Sequence, residues 1–159
     1  MKYLKNVSYF VVGCILLILS AELNAQTSMN STENEIIALT YKIWKAENEN
    51  DMATRNKYIA DDYTEFNPVF STRVDGKTKS FTLTDANSAG GKSLADEMLN
   101  PKVQVYGNTA ILTYNFAGII RSNDGKVVPS KAKSTRVYVK MDGDWKLVHA
   151  NFAMDPNDD

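Results

Sequence analysis

Near the C-terminal end, two strand-like runs carry side chains that could do chemistry: Arg136 and Tyr138 alternate in the first, His149 and Asn151 in the second. Alternate residues of a strand share a face. A two-residue turn at Asp142-Gly143 would pair Tyr138 with Leu147 and Arg136 with His149, gathering Arg136, Tyr138, His149 and Asn151 into one polar patch. The planar guanidinium suits a carboxylate or other oxyanion better than a lysine's point charge does. Beside that cation the imidazole would favour its neutral form, which makes His149 a candidate general base. Asn151 would orient a bound group as donor or acceptor. The candidate ligand-binding residues are therefore Arg136, Tyr138, Asn151 and Trp44, and the candidate catalytic residues are His149 and Glu47. The competing expectation is structural: Arg136 paired with Glu47 or another buried carboxylate to hold the fold, and His149 simply hydrogen-bonded.

Two elements must position these groups. Thr32 stands three residues before Glu35, the spacing of a reciprocal helix cap. From there Ile36, Ile37, Leu39, Thr40, Ile43 and Trp44 recur at helical spacing and define one apolar face. Glu47 falls within that arc, so it either reaches out to water or faces a cavity. A buried acid there would be a proton shuttle. Asp51 to Tyr58 can cap and form a second short helix, and Tyr63 to Phe66 reads as a strand. Residues 69–84 are expected to be an irregular hairpin or two short strands, residues 85–91 a loop, and residues 93–99 a helical turn. Asp61, Asp62 and Glu65 read as loop charges and helix stops rather than a divalent-ion cluster, since adjacent strand residues point apart.

From Lys102 onward the hydrophobic period becomes two, the pattern of an antiparallel sheet with one wetter face. Gly107-Asn108 marks a hairpin pairing Tyr106 with Thr109, which places Val103, Val105, Ala110, Leu112, Tyr114 and Phe116 on the core side. Residues 121–134 form a loop or hairpin tip. Helices followed by long meandering strands give an α+β layout.

Composition narrows the function classes. Lys2 and Lys5 precede an apolar run from Val11 to Leu19, too short to span a membrane as a helix, with a small residue at Ala25; this is the layout of a secretory signal. Residues 1–25 are expected to be a leader, 26–31 a polar tether, 32–153 the domain and 154–159 an acidic tail. The product would be exported, periplasmic or secreted, with no membrane attachment after removal of the leader. A lipoprotein site at Cys14 is disfavoured because Ile15 to Leu19 continue the apolar run past it. Loss of the leader would remove the only cysteine and leave 16 basic and 18 acidic residues, a balance that suggests no nucleic-acid partner. One histidine in the chain argues against a metal site, and no cofactor is expected.

The turn Gly107-Asn108-Thr109-Ala110, the strand Thr135-Arg136-Val137-Tyr138 and the hairpin Asp142-Gly143-Asp144-Trp145 carry a family resemblance. The chain resembles the nuclear transport factor 2-like superfamily, in particular SnoaL-like domains of unknown function and the association domain of calcium/calmodulin-dependent kinase. The resemblance spans residues 32–153. It implies a cone-shaped, strongly curved antiparallel sheet wrapped around a long N-terminal helix, with a pocket at the open end and frequent homodimers. Relatives of this kind include isomerases, dehydratases, cyclases, binding domains and oligomerisation hubs, so the likeness fixes no single chemistry. Where relatives commonly read His-Xaa-His-Xaa-Ser, this chain reads His149-Ala150-Asn151-Phe152-Ala153, which removes a histidine acid-base pair. The leading expectation is an exported domain binding a partly apolar small molecule through its carboxylate or carbonyl. The alternatives are a cofactor-independent isomerase, dehydratase or cyclase, and an oligomerisation module with a vestigial pocket.

Overall fold

The computed structural model describes residues 30–88, 92–122 and 124–155; the expected leader, most of the tether and the end of the tail lie outside them. Helix α1 (residues 30–48) is followed by α2 (Met52–Tyr58), β1 (Ile59–Phe66), β2 (Val74–Asp75), α3 (Lys77–Ser88), β3 (Lys92–Tyr106), β4 (Thr109–Arg121), β5 (Val127–Met141) and β6 (Asp144–Met154). The strands form one six-stranded sheet in the order β2-β1-β6-β5-β4-β3. All pairings are antiparallel except β1 with β6, which is parallel, so the sheet is mixed, curved and unclosed. This is the α+β cone expected from the sequence.

Helix α1 is already formed at residue 30, so Thr32 does not start it, and Glu35 serves elsewhere: its Oε2 accepts from the Trp145 indole at 3.2 Å. The apolar face of α1 seals the cone, with Ile36 and Ile43 fully buried and Leu39 and Trp44 nearly so. They pack on Ala110, Leu112, Tyr114, Tyr138, Leu147 and Ala150 from the inner face of the sheet. Burying such a face is the main source of the helix's stability in the fold. Asp51 caps α2 by accepting from the Thr54 amide at 3.0 Å.

Both hairpins fall in the expected register, Tyr106 opposite Thr109 and Met141 opposite Asp144. Asp142 and Gly143 have φ of 52° and 90°, as a tight primed turn requires. Four local expectations differ: to begin with, most of the expected loop 121–134 is strand, since residues 127–134 pair with β4 from Arg121–Val127 to Tyr114–Ser134. Residues 74–88 form a two-residue strand and α3 in place of a hairpin, and the helix continues through Ser88 where a loop is expected. Residues 93–99 are strand, because pairing of Ser93 with Ile120 and Met98 with Phe116 overrides the helical propensity of Leu94, Ala95, Glu97 and Met98.

A fifth difference moves side chains across the sheet. Leu147 pairs with Tyr138, but His149 pairs with Val137, so Val148 is a bulge. One extra residue reverses the facing of everything beyond it. Arg136 consequently opposes Ala150, and His149 and Asn151 turn outward.

Candidate functional site

The inner face is built in cross-sheet rows. The deepest row here aligns Ala110, Tyr138, Leu147 and Ile59; the next aligns Leu112, Arg136, Ala150 and Glu65; the next aligns Tyr114, Ser134 and Phe152. Between these rows and the C-terminal half of α1 lies a cavity of about 890 Å³, walled by Trp44, Glu47, Tyr114, Ser134, Arg136 and Phe152, among others. Pro68, Val69, Ile120, Pro129 and Met154 extend the lining. Val69 and Met154 are exposed, marking the rim.

Arg136 sits at the floor, 5% exposed. Its Nε donates to Tyr114 Oη at 2.9 Å, and its guanidinium carbon lies 5.9 Å from the Trp44 ring centre and 5.5 Å from that of Phe152. Among the described residues no ion pair includes it. Burial works against its charge, but the surrounding phenols of Tyr114 and Tyr138 and the carboxylate of Glu47 outweigh it, and the pKa is raised. The guanidinium is a permanent cation, a fixed fork of donors in the cavity wall that also acts on the Tyr138 phenol beneath it.

Glu47 does line the cavity, but its carboxylate accepts from Arg55 Nε at 3.0 Å, with the Arg55 guanidinium over the Phe81 ring at 5.5 Å. The expected Glu47 to Arg136 pair is therefore replaced by a pair with α2. Trp44 forms a wall, edge-on to Tyr114 at 5.6 Å and to Phe116 at 5.5 Å. Tyr138 is fully buried below the cavity and does not line it. The Thr40 hydroxyl gives its proton to the Ile36 carbonyl, so the Tyr138 hydroxyl is the donor in their 2.8 Å contact. Burial raises the Tyr138 pKa, although Arg136 pulls it down.

His149 and Asn151 are not brought to Arg136. The His149 Nδ1 meets Thr64 Oγ1 of the parallel strand β1 at 2.8 Å, and its ring stands edge-on to Phe66 at 6.0 Å. Asn151 borders a separate, polar hollow of about 370 Å³ with Asn100, Thr113, Asn115 and Thr135. The patch expected on one face is thus split between two by the Val148 bulge, and no acid-base pair is formed by Glu47 and His149.

Two polar groups beyond the expected set are prominent. Ser134 lines the cavity at 4% exposure, and its Oγ is buried without a hydrogen-bond partner among the described residues. Glu65, expected to be a loop charge, is instead buried at 4% exposure. Its Oε2 accepts from Tyr63 at 2.8 Å and Ser80 at 2.9 Å, while Oε1 has no partner. Burial pushes the Tyr63 phenol well above its usual range, and the Glu65 carboxylate adds to the rise. Period two would have found both, since Ser134 shares a face with Arg136 and Glu65 with Tyr63. Arg55 has no comparable signal in the sequence.

The profile of the calcium/calmodulin dependent protein kinase II association domain matches residues 32–155. The chain belongs to this association-domain family. Among solved structures, the association domain of C. elegans CaMKII superposes with a TM-score of 0.68 at 21% identity, covering 79% of this chain and 97% of that one. The S. rosetta CaMKII hub gives 0.64 at 24% identity, covering 76% and 94%. A nuclear transport factor 2-like superfamily protein from Salmonella enterica gives 0.69 at 14% identity, covering 82% and 96%. At these identities the structures establish a shared fold. No curated protein matches the chain. In this association-domain member, Arg136 is the buried arginine of the cavity lining, while Arg55, equally buried, pairs with Glu47 from behind it.

Proposed function

We propose that this domain binds a partly apolar small molecule carrying a carboxylate or carbonyl group, held against Arg136. One observation supports this reading: a guanidinium only 5% exposed, at the floor of an aromatic-walled cavity, with no carboxylate partner among the described residues. A buried cation without a directly bonded carboxylate is well placed to take one from a ligand. The test is a thermal-shift screen of carboxylates against wild type and Arg136→Met. Stabilisation present in the wild type and lost in the variant supports the reading; equal shifts, or none in either protein, count against it.

Self-association is a second reading, supported by the family and by relatives described as an association domain and a hub. Val137, Val139 and Val148 on or beside the outer sheet face are half-buried and form an apolar surface that a second copy would cover. Sedimentation at micromolar concentration decides it, and a strict monomer removes it. We further propose export through cleavage after Ala25. N-terminal sequencing of the envelope fraction tests that, and an intact Met1 there would refute it.

A further inference from the structure

We infer that the cavity's ligand is a monocarboxylate on a large hydrocarbon body, its head group held jointly by Arg136, Ser134 and Tyr114. This rests on the binding role proposed above and narrows it from a carboxylate or carbonyl to a hydrophobic acid.

The head group follows from counting donors. Arg136 spends Nε on Tyr114 and also acts on the Tyr138 phenol beneath it, while its guanidinium, with five N–H donors, lines the cavity. Tyr114 accepts through Oη, and its own proton finds no acceptor among the described residues. The Ser134 hydroxyl is buried and unpartnered one row nearer the rim, opposite Tyr114, on a residue of the cavity lining. Three donor groups on adjoining rows lie in the wall of a cavity whose carboxylates are committed elsewhere, Glu47 to Arg55, Asp96 to Asn48 and Ser93, and Asp155 to Lys133. A carbonyl oxygen offers two lone pairs and leaves the guanidinium charge unanswered. A carboxylate offers about four acceptor sites and one negative charge, which matches both counts. One unpaired cation also argues for a single negative charge rather than two.

The body follows from size and lining. The cavity of about 890 Å³ lies at the upper end of drug-sized ligand pockets, far beyond the needs of a two- to four-carbon acid. Trp44, Phe116 and Phe152 surround the head-group region, and Ile120, Pro129 and Met154 carry the apolar lining toward the rim. Trp44 and Phe152 lie 5.9 and 5.5 Å from the guanidinium carbon, so a head group held there has aromatic walls beside it and the apolar lining leads its tail toward the mouth.

The probes are butyrate, hexanoate, octanoate, decanoate and dodecanoate, with dodecanol as the uncharged control, each below its micelle concentration. Binding is read by Trp44 fluorescence in a Trp145→Phe background and by calorimetry on the wild type. Affinity is expected to rise by roughly fourfold per methylene buried, and dodecanol should bind at least about tenfold more weakly than dodecanoate. Ser134→Ala should weaken dodecanoate by roughly tenfold while leaving the melting temperature unchanged or higher. Butyrate binding as tightly as dodecanoate would overturn the hydrophobic body and leave the carboxylate reading standing. Dodecanol matching dodecanoate would overturn the head group. An unchanged affinity in Ser134→Ala would remove Ser134 from the site. Failure of every acid at every length would overturn this inference and the binding role together.

Discussion

Replacing Arg136 by methionine separates a ligand anchor from a structural keystone. Methionine fills a comparable volume and has no charge to bury. The native arginine loses several kcal/mol through desolvation. It recovers about 1.5–3 kcal/mol from its hydrogen bond to Tyr114 and about 0.5–2 kcal/mol from each ring contact, Trp44 and Phe152. These terms nearly cancel, because no carboxylate lies in ion-pair range among the described residues. Arg136→Met is therefore expected to change unfolding stability by no more than about 1 kcal/mol in either direction. Carboxylate binding should weaken by at least about 100-fold, the worth of a desolvated charged contact. The assay is urea denaturation followed by circular dichroism, alongside the ligand titration on the same preparations. A stability loss above about 3 kcal/mol would refute the reasoning. The guanidinium would then be holding the cone together, through a partner stronger than Tyr114.

The remaining predictions use the outer face, the cavity wall and the buried phenols. His149→Gln should leave carboxylate affinity unchanged and cost up to about 1 kcal/mol through the Thr64 contact; a tenfold loss of affinity would mean that the imidazole faces the ligand. Gly118→Ala would set a methyl group 2.6 Å from the Phe116 ring and 3.1 Å from the Ala95 carbonyl. The ring must turn against Trp44, destabilising the fold by about 1–3 kcal/mol and altering Trp44 fluorescence; an unaltered spectrum would contradict the packing. Tyr63 and Tyr138 have folded pKa values raised by burial, so the unfolded chain ionises first. Their contribution is whole below pH 10 and is lost as pH climbs above it, by roughly 1.4 kcal/mol per pH unit for each tyrosine. Absorbance at 295 nm should show two tyrosines that titrate only on unfolding, and full reversible titration near pH 10 in folded protein would oppose this.

Much of the fold was legible because its strongest signals are local. The apolar stripe from Ile36 to Trp44 and the turns at Gly107 and Asp142-Gly143 each obey one periodicity or one φ requirement, and each lies where expected. Residues 93–99 depart from the expected helical turn because pairing with β4, a contact distant in sequence for much of the strand, decides between two backbone states of similar intrinsic preference. Helix α3 had no apolar period to announce it, and its visible anchor is Ser80 bonded to Glu65. Of the candidate site, Arg136, Trp44 and Glu47 reach the cavity, while Tyr138 lies beneath it and His149 and Asn151 lie behind the sheet.

That last separation was written in the sequence, though in a form that strict alternation hides. From Trp145, apolar residues alternate as far as Leu147; Val148 then stands beside it, and the alternation resumes one position out of phase as Ala150 and Phe152, with His149 and Asn151 between them. Two adjacent apolar residues inside an alternating strand mark a phase slip, and the sheet accommodates it as a bulge. Had the strand run without it, Ala150 and Phe152 would face outward and two polar side chains would be forced into the core beneath α1. The bulge instead puts Ala150 beside Arg136 and Phe152 over the guanidinium. The small side chain leaves room around the cation, and the ring excludes water from one face of it. A hydrophobic slip in β6 thus sets Arg136 between Ala150 and Phe152 in the cavity wall and turns the chain's one histidine to the other face of the sheet.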